Sequence, residues 1–120
     1  MFKRILVPVD GSDASRHALA TAIGMARDTG GQLRLIHVLE DVAYLAGYDP
    51  AGAAAGELYR ATRGAGSKVL EDALRQAADA GLQAESELID QFGEPMPQAV
   101  ANAAKSWNAD LVVVGTHGRR

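Results

Sequence analysis

Ile5-Leu6-Val7-Pro8-Val9, closed by Asp10-Gly11-Ser12, decides how this chain folds. A short apolar run that stops at an acid and a glycine reads as a strand buried on both faces, the kind that builds parallel sheets. A secretory leader needs a longer apolar stretch and a small-residue cleavage site. A membrane span needs about 20 apolar residues. The start of this chain is therefore taken as a core strand.

Working outward, Ser12 is a good N-cap and Asp13 suits the positive end of a helix. Ala14, Ala18, Ala22 and Ala26 recur at helical spacing beside Leu19, Ile23 and Met25, and Gly30-Gly31 stops the run. Leu33 to Leu39 reads as a second strand. Glu40 to Gly56, rich in Ala and Gly, has no clear period and reads as a loop or a frayed helix start. A helix is most convincing from Ser67 to Ala80, because Gly64 and Gly66 disfavour an earlier start and Gly81 ends it. Ala84, Ser86 and Leu88 alternate with Glu85 and Glu87, which suits a sheet edge. Gly93-Glu94-Pro95 opens a helix whose apolar side is Val100, Ala103, Ala104 and Trp107, ended by Asn108-Ala109. Leu111 to Val114 is the most strand-like run, closed by Gly115. The order β-α-β-α-β-α-β predicts an α/β fold: an open, doubly wound parallel sheet with right-handed crossovers.

Composition narrows the functional classes. The chain has 120 residues, the size of one domain, with 48% apolar and 22% charged residues. Its net charge is −3, and no Lys/Arg cluster precedes Arg119-Arg120, which disfavours a nucleic-acid partner. It has no cysteine, so disulfides, thiolate metal sites and thiol redox chemistry are excluded. A cytoplasmic location fits that composition.

In an open α/β sheet, ligands bind beyond the carboxyl ends of the strands, where strand order reverses. Two strand ends here carry unusual residues: Pro8-Val9-Asp10-Gly11-Ser12 and Gly115-Thr116-His117-Gly118. If these strands are neighbours, their loops are the two lips of one crevice. Glycines let a backbone turn tightly and aim N–H groups at an anion. Asp10 has two readings: a solvated acid capping the next helix, or an acceptor for ribose hydroxyls or an adenine amino group. Gly-x-x-Gly alone reads as a plain turn. Together the two features favour a nucleotide site.

These segments also resemble the universal stress protein family. Ile5 to Ser12 resembles its opening strand and loop, Leu35-Ile36-His37-Val38 its second strand, and Asp110 to Gly118 its strongest signature. The resemblance spans the whole chain, 1–120, as one domain. It implies a Rossmann-like sheet of order 3-2-1-4-5, an adenine nucleotide such as ATP, with or without Mg2+, and a regulatory role in stress response. Carried over by position, Pro8, Val9 and Asp10 flank the adenosine, the Val38 backbone meets the adenine edge, and Gly115 to Gly118, with Thr116 and His117 between, begins the phosphate loop. The family's ATP motif continues as Gly-x9-Gly-[Ser/Thr], which would fall beyond Arg120. So would a last helix and a fifth strand, which often forms a homodimer interface. The expectation is a natural chain that continues past Arg120.

Other chemistries are poorly supported. His17 is expected near a helix surface, His37 as a satisfied core histidine and His117 as a loop residue; none has zinc-pair spacing. No P-loop or Gly-x-Ser-x-Gly elbow occurs. A receiver domain would need an acid such as Asp90 on a central strand, whereas Asp90 follows an edge-like one. Two alternatives stay open: a slow ATP hydrolase, for which no base for the attacking water is identifiable, and a nucleotide-free interaction module. An unidentified protein partner is expected.

Overall fold

The run that begins at Ile5 forms the centre of a parallel sheet. The computed structural model describes residues 2–39, 53–90 and 95–115, with side chains from residue 56 onward in the second stretch. Among them the order is β1 (Arg4–Pro8), α1 (Asp13–Thr29), β2 (Gln32–Val38), α2 (Ala53–Asp79), β3 (Glu85–Ile89), α3 (Met96–Trp107) and β4 (Leu111–Val112). The four-stranded sheet has the order β3-β2-β1-β4. Every pairing is parallel, with Val7 opposite Leu35, Leu6 opposite Val112 and Leu35 opposite Ser86.

Ile5, Leu6 and Val7 are all 0% exposed, because helices cover both faces of their strand. Ile5 and Val7 join Leu33 and Leu35 in a cluster with Leu19, Ala22 and Ala26 of α1 and Leu70, Ala73 and Ala77 of α2. Leu6 faces the other way, with Ile36, Val38 and Ile89 against Ala99 of α3. Ser12 caps α1 by accepting the Ser15 N–H at 3.1 Å. The expected stripe is its buried face: Ala18, Leu19, Ala22, Ile23 and Ala26, with Gly30 as C-cap. Burying Leu19 and Ile23 is worth roughly 1.5–3 kcal/mol each.

Two boundaries differ from the sequence reading. Of 40–56, expected as a loop or a frayed helix start, residues up to 52 lie outside the described residues, and from Ala53 the chain is helix, well before Ser67. α2 then runs through Gly64 and Gly66 without a break. A Cβ at Gly66 would lie 2.7 Å from His37 Cδ2 and 2.9 Å from Leu88 Cδ1. Glycine costs a helix roughly 1 kcal/mol; here it lets α2 lie directly on β2 and β3, and packing offsets that cost.

The second difference is β4, which pairs only at Leu111 and Val112 rather than to Val114. The Leu6 carbonyl accepts the Val113 N–H at 3.0 Å, so Leu6 turns its backbone groups toward β4. Pro8, two residues on, faces the same side. It has no N–H to give, so the ladder stops. Val114 is left 55% exposed.

β3 is an edge, as its alternation predicted, and exposes Glu85, Ser86 and Glu87. Arg34 of β2 donates to Glu85 at 2.7 Å and to Glu87 at 3.0 Å. Burial works to lower the Arg34 pKa, but the bonds to Glu87 and Glu85 hold it above its ordinary value. α3 turns its predicted apolar side, Val100, Ala103, Ala104 and Trp107, to the sheet and ends at Asn108 with φ 60°. Of the expected opening Gly93-Glu94-Pro95, the first two lie outside the described residues and Pro95 is the N-cap. Among the described residues, no helix is long and apolar enough to cross a membrane.

Candidate functional site

β1 and β4 are neighbours, yet α1 leaves β1 on one face while α3 enters β4 from the other. Strand order reverses here, and the carboxyl ends open into a cavity of about 460 Å3. Small-molecule sites occupy roughly 300–1,000 Å3. The floor is Pro8, Val9 and Asp10 of β1 and its loop, with His37 and Val38 of β2. One wall is the start of α1, Ser12 and Ser15; another is the start of α3, Met96, Pro97 and Val100; Val114 and Gly115 close the fourth side.

The structure thus brings together Pro8, Val9, Asp10, Val38 and Gly115, as the sequence reading expected. Thr116, His117 and Gly118 lie outside the described residues. The α3 wall was not foreseen. In the sequence, Val100 is read only as part of a helix's apolar side and Met96 and Pro97 are given no role, although an apolar first turn next to a strand end is a usable signal.

Asp10 sits exposed at the lip. Its Oδ1 accepts the Ser12 N–H at 2.9 Å, and its own N–H donates to Ser15 Oγ at 3.3 Å. The carboxylate is therefore part of the local turn that starts α1. Ser15 is 5% exposed, and it links the cap to the cavity wall. His37 Nδ1 lies 2.7 Å from the Val9 carbonyl. A carbonyl can only accept, so Nδ1 carries the proton of this bond. Half-buried rather than core, His37 ties β2 to the β1 loop at the cavity floor.

Gly115 is required by its neighbours. A Cβ there would lie 2.5 Å from the Ala14 carbonyl oxygen and 2.8 Å from the Ser15 nitrogen. Only glycine lets the end of β4 rest on the first turn of α1. Pro95, the N-cap of α3, makes no side-chain capping bond. The N-termini of α1 and α3 thus both meet a mostly apolar cavity, an arrangement that suits a ligand with a flat apolar body and a negative end.

Elsewhere, Asp90 follows β3 at the edge and accepts the Tyr59 hydroxyl, with Arg63 3.9 Å away. The bond to Asp90 pushes the Tyr59 phenol above its ordinary pKa. His17 is exposed on α1. Among the described residues, no three His, Asp or Glu side chains converge as metal ligands.

Comparison with known proteins resolves the fold family. The universal stress protein family model matches residues 1–120. This chain belongs to the universal stress protein family. It is 36% identical to the universal stress protein YxiE of Bacillus subtilis, covering 98% of this chain and 81% of the relative. A family structure from Burkholderia pseudomallei is 32% identical with a TM-score of 0.77, covering 97% of this chain and 83% of that one. A Lactobacillus plantarum member is 25% identical with a TM-score of 0.79, covering 99% and 82%. More distant structures share the universal stress protein fold while holding adenine nucleotides. One is a cAMP complex, 24% identical, TM-score 0.67, covering 98% and 75%. Another is an AMP-bound Arabidopsis thaliana protein, 18% identical, TM-score 0.69, covering 98% and 78%. The third is a dAMP complex from Archaeoglobus fulgidus, 20% identical, TM-score 0.67, covering 94% and 80%.

Proposed function

We propose that this chain binds an adenine nucleotide in the crevice between β1 and β4 and acts as a ligand-dependent regulator in stress response. The observation that carries the reading is the cavity itself, lined at once by Pro8, Val9, Asp10, Val38 and Gly115. Apolar walls suit a purine, and burial of its faces supplies most of the affinity. The Asp10 carboxylate accepts hydrogen bonds from ribose hydroxyls, and the Val38 backbone reads the adenine edge. The phosphates lie toward Gly115 and the Thr116-His117-Gly118 segment that follows it. ATP is the proposed ligand. A Mg2+ entering with it takes most of its ligands from phosphate oxygens and water. The output passes to a protein partner or a second copy of the chain.

Calorimetric titration with ATP, AMP and adenosine, together with a search for nucleotide released on heat denaturation, tests the reading. Saturable binding, stronger for the nucleotides than for adenosine, is expected. No binding of any of the three and no released nucleotide would leave a nucleotide-free interaction module.

A further inference from the structure

Three large apolar side chains are conspicuously exposed among the described residues: Phe2, Met96 at 50% and Val114 at 55%. Two of them, Met96 and Val114, line the same cavity, Met96 from the first turn of α3 and Val114 from the end of β4. Such exposure is costly unless something covers it, and a ligand in this cavity would. The sequence has three methionines and no cysteine, so thioethers are its oxidisable sulfurs. Met25 is partly buried and packed on the core of α1. Met96 alone among the described methionines joins exposure to a place in the cavity wall.

We propose that Met96 is a site of sulfur oxidation that lowers the affinity of the cavity for its ligand. The proposal rests on the nucleotide reading above. A thioether lone pair attacks the distal oxygen of a hydroperoxide, the O–O bond breaks and an S=O bond forms. Sulfur loses two electrons, and the peroxide leaves as water or alcohol after taking a proton. The product is a polar, chiral sulfoxide in place of a flexible apolar side chain. Set in an apolar wall, that oxygen keeps its water only if the ligand does not close over it, so binding and oxidation oppose each other. The same linkage makes bound ligand a shield for the sulfur.

The test uses hydrogen peroxide on the 120-residue chain, with peptide mass spectrometry for each methionine and calorimetry with AMP. Met96 should oxidise several-fold faster than Met25, and AMP should slow Met96 alone. Oxidation should weaken AMP binding about tenfold in the native chain. Met96→Leu, which keeps the apolar volume and has no sulfur to oxidise, should have an AMP affinity that peroxide treatment does not change. Equal oxidation of Met96 and Met25, or an equal loss of affinity in Met96→Leu, would overturn the proposal. So would AMP binding that leaves the Met96 rate unchanged. If the reduced chain binds no AMP, the nucleotide reading fails and this proposal with it. Binding that ignores peroxide removes this proposal alone.

Discussion

The two ends of the sheet are built in opposite ways. At the amino end, polar groups tie distant segments together. Asp110, just before β4, accepts the N–H groups of Lys3 at 3.0 Å and Arg4 at 3.1 Å. Arg4 donates from Nε to the Trp107 carbonyl at 2.8 Å and from Nη1 to Gln32 at 2.7 Å, and its guanidinium stacks 4.2 Å from the Trp107 ring centroid. Thr29 Oγ1 donates to the Phe2 carbonyl. At the carboxyl end, one chain-distant side-chain bond, His37 to the Val9 carbonyl, joins β2 to the β1 loop. The bonds around Asp10, Ser12 and Ser15 are local turns and caps, and the space between elements stays open as the cavity. The chain begins and ends its β-α units at the amino end, where a clasp can hold them. The carboxyl end is left free to be shaped for a ligand. Changes at one end should therefore move stability, and changes at the other should move binding.

Gly115 is where that division should break most visibly, because it belongs to both. Gly115→Ala forces a Cβ against the Ala14 carbonyl and the Ser15 nitrogen. Overpacking of this kind costs about 1–3 kcal/mol. Thermal melts should show that loss, and calorimetry should show nucleotide binding abolished, since α1 or β4 must move at the cavity. A variant with native stability and native binding would mean that the two elements yield freely.

Asp10 sharpens the comparison at the binding end. Asp10→Ala should weaken adenine-nucleotide binding roughly ten- to a hundredfold, the equivalent of a lost charge-assisted hydrogen bond of about 1.5–3 kcal/mol. Asp10→Asn keeps an oxygen for the Ser12 N–H and loses only the charge. If Ala weakens binding and Asn does so to an intermediate degree, with circular dichroism unchanged, the carboxylate contacts the ligand. If binding follows only the loss of the Ser12 bond, Asp10 is purely a cap.

Arg4 is the counterpart at the clasp. Arg4→Ala removes two side-chain bonds and the stack on Trp107. A stability loss of about 1–2 kcal/mol in urea denaturation is expected, with nucleotide affinity unchanged. A change in affinity would show the two ends to be coupled through β1.

The smallest effect is pH-dependent. Hydrogen bonding from the Lys3 N–H holds the Asp110 carboxyl below its ordinary value of 3.8 against an upward push from desolvation, with the Arg4 N–H adding to the lowering. A depressed carboxylate contributes stability that is complete above the unfolded value and is lost as pH falls through the lower folded one. The native chain should therefore melt slightly above Asp110→Asn at neutral pH. The gap should close only in acid, below 3.8. A gap that persists unchanged into strong acid would mean that the charge contributes nothing.

Much of this contrast was legible in the sequence, because local chemistry sets it. Ser12 caps α1 and Gly30 ends it through groups a few residues away, so both could be read directly. β1 could be read because burial on both faces demands an unbroken apolar run. The strand ends at Pro8 to Ser12 and at Gly115 could be placed at one crevice if their strands are neighbours. That the strands are neighbours, and that Val38 belongs there too, came from the family resemblance. The rest depended on chain-distant partners. Gly66 reads as a helix breaker until Leu88 and His37 are found where its Cβ would be. Trp107 reads as an apolar helix residue, yet one face of its ring carries Arg4. Val100 reads as part of a helix's apolar side, and only the packing of α3 beside β1 and β2 makes it, with Met96, a cavity wall.

Residue-resolved NMR of the isotope-labelled chain, titrated with AMP, tests the central claim most directly. Saturable amide shifts at Val9, Asp10, Ser12, Ser15, Val38 and Gly115, with Lys3, Arg4, Trp107 and Asp110 unmoved, are the predicted result. Saturable shifts that centre on the amino-end residues, or none anywhere up to millimolar AMP, would contradict it.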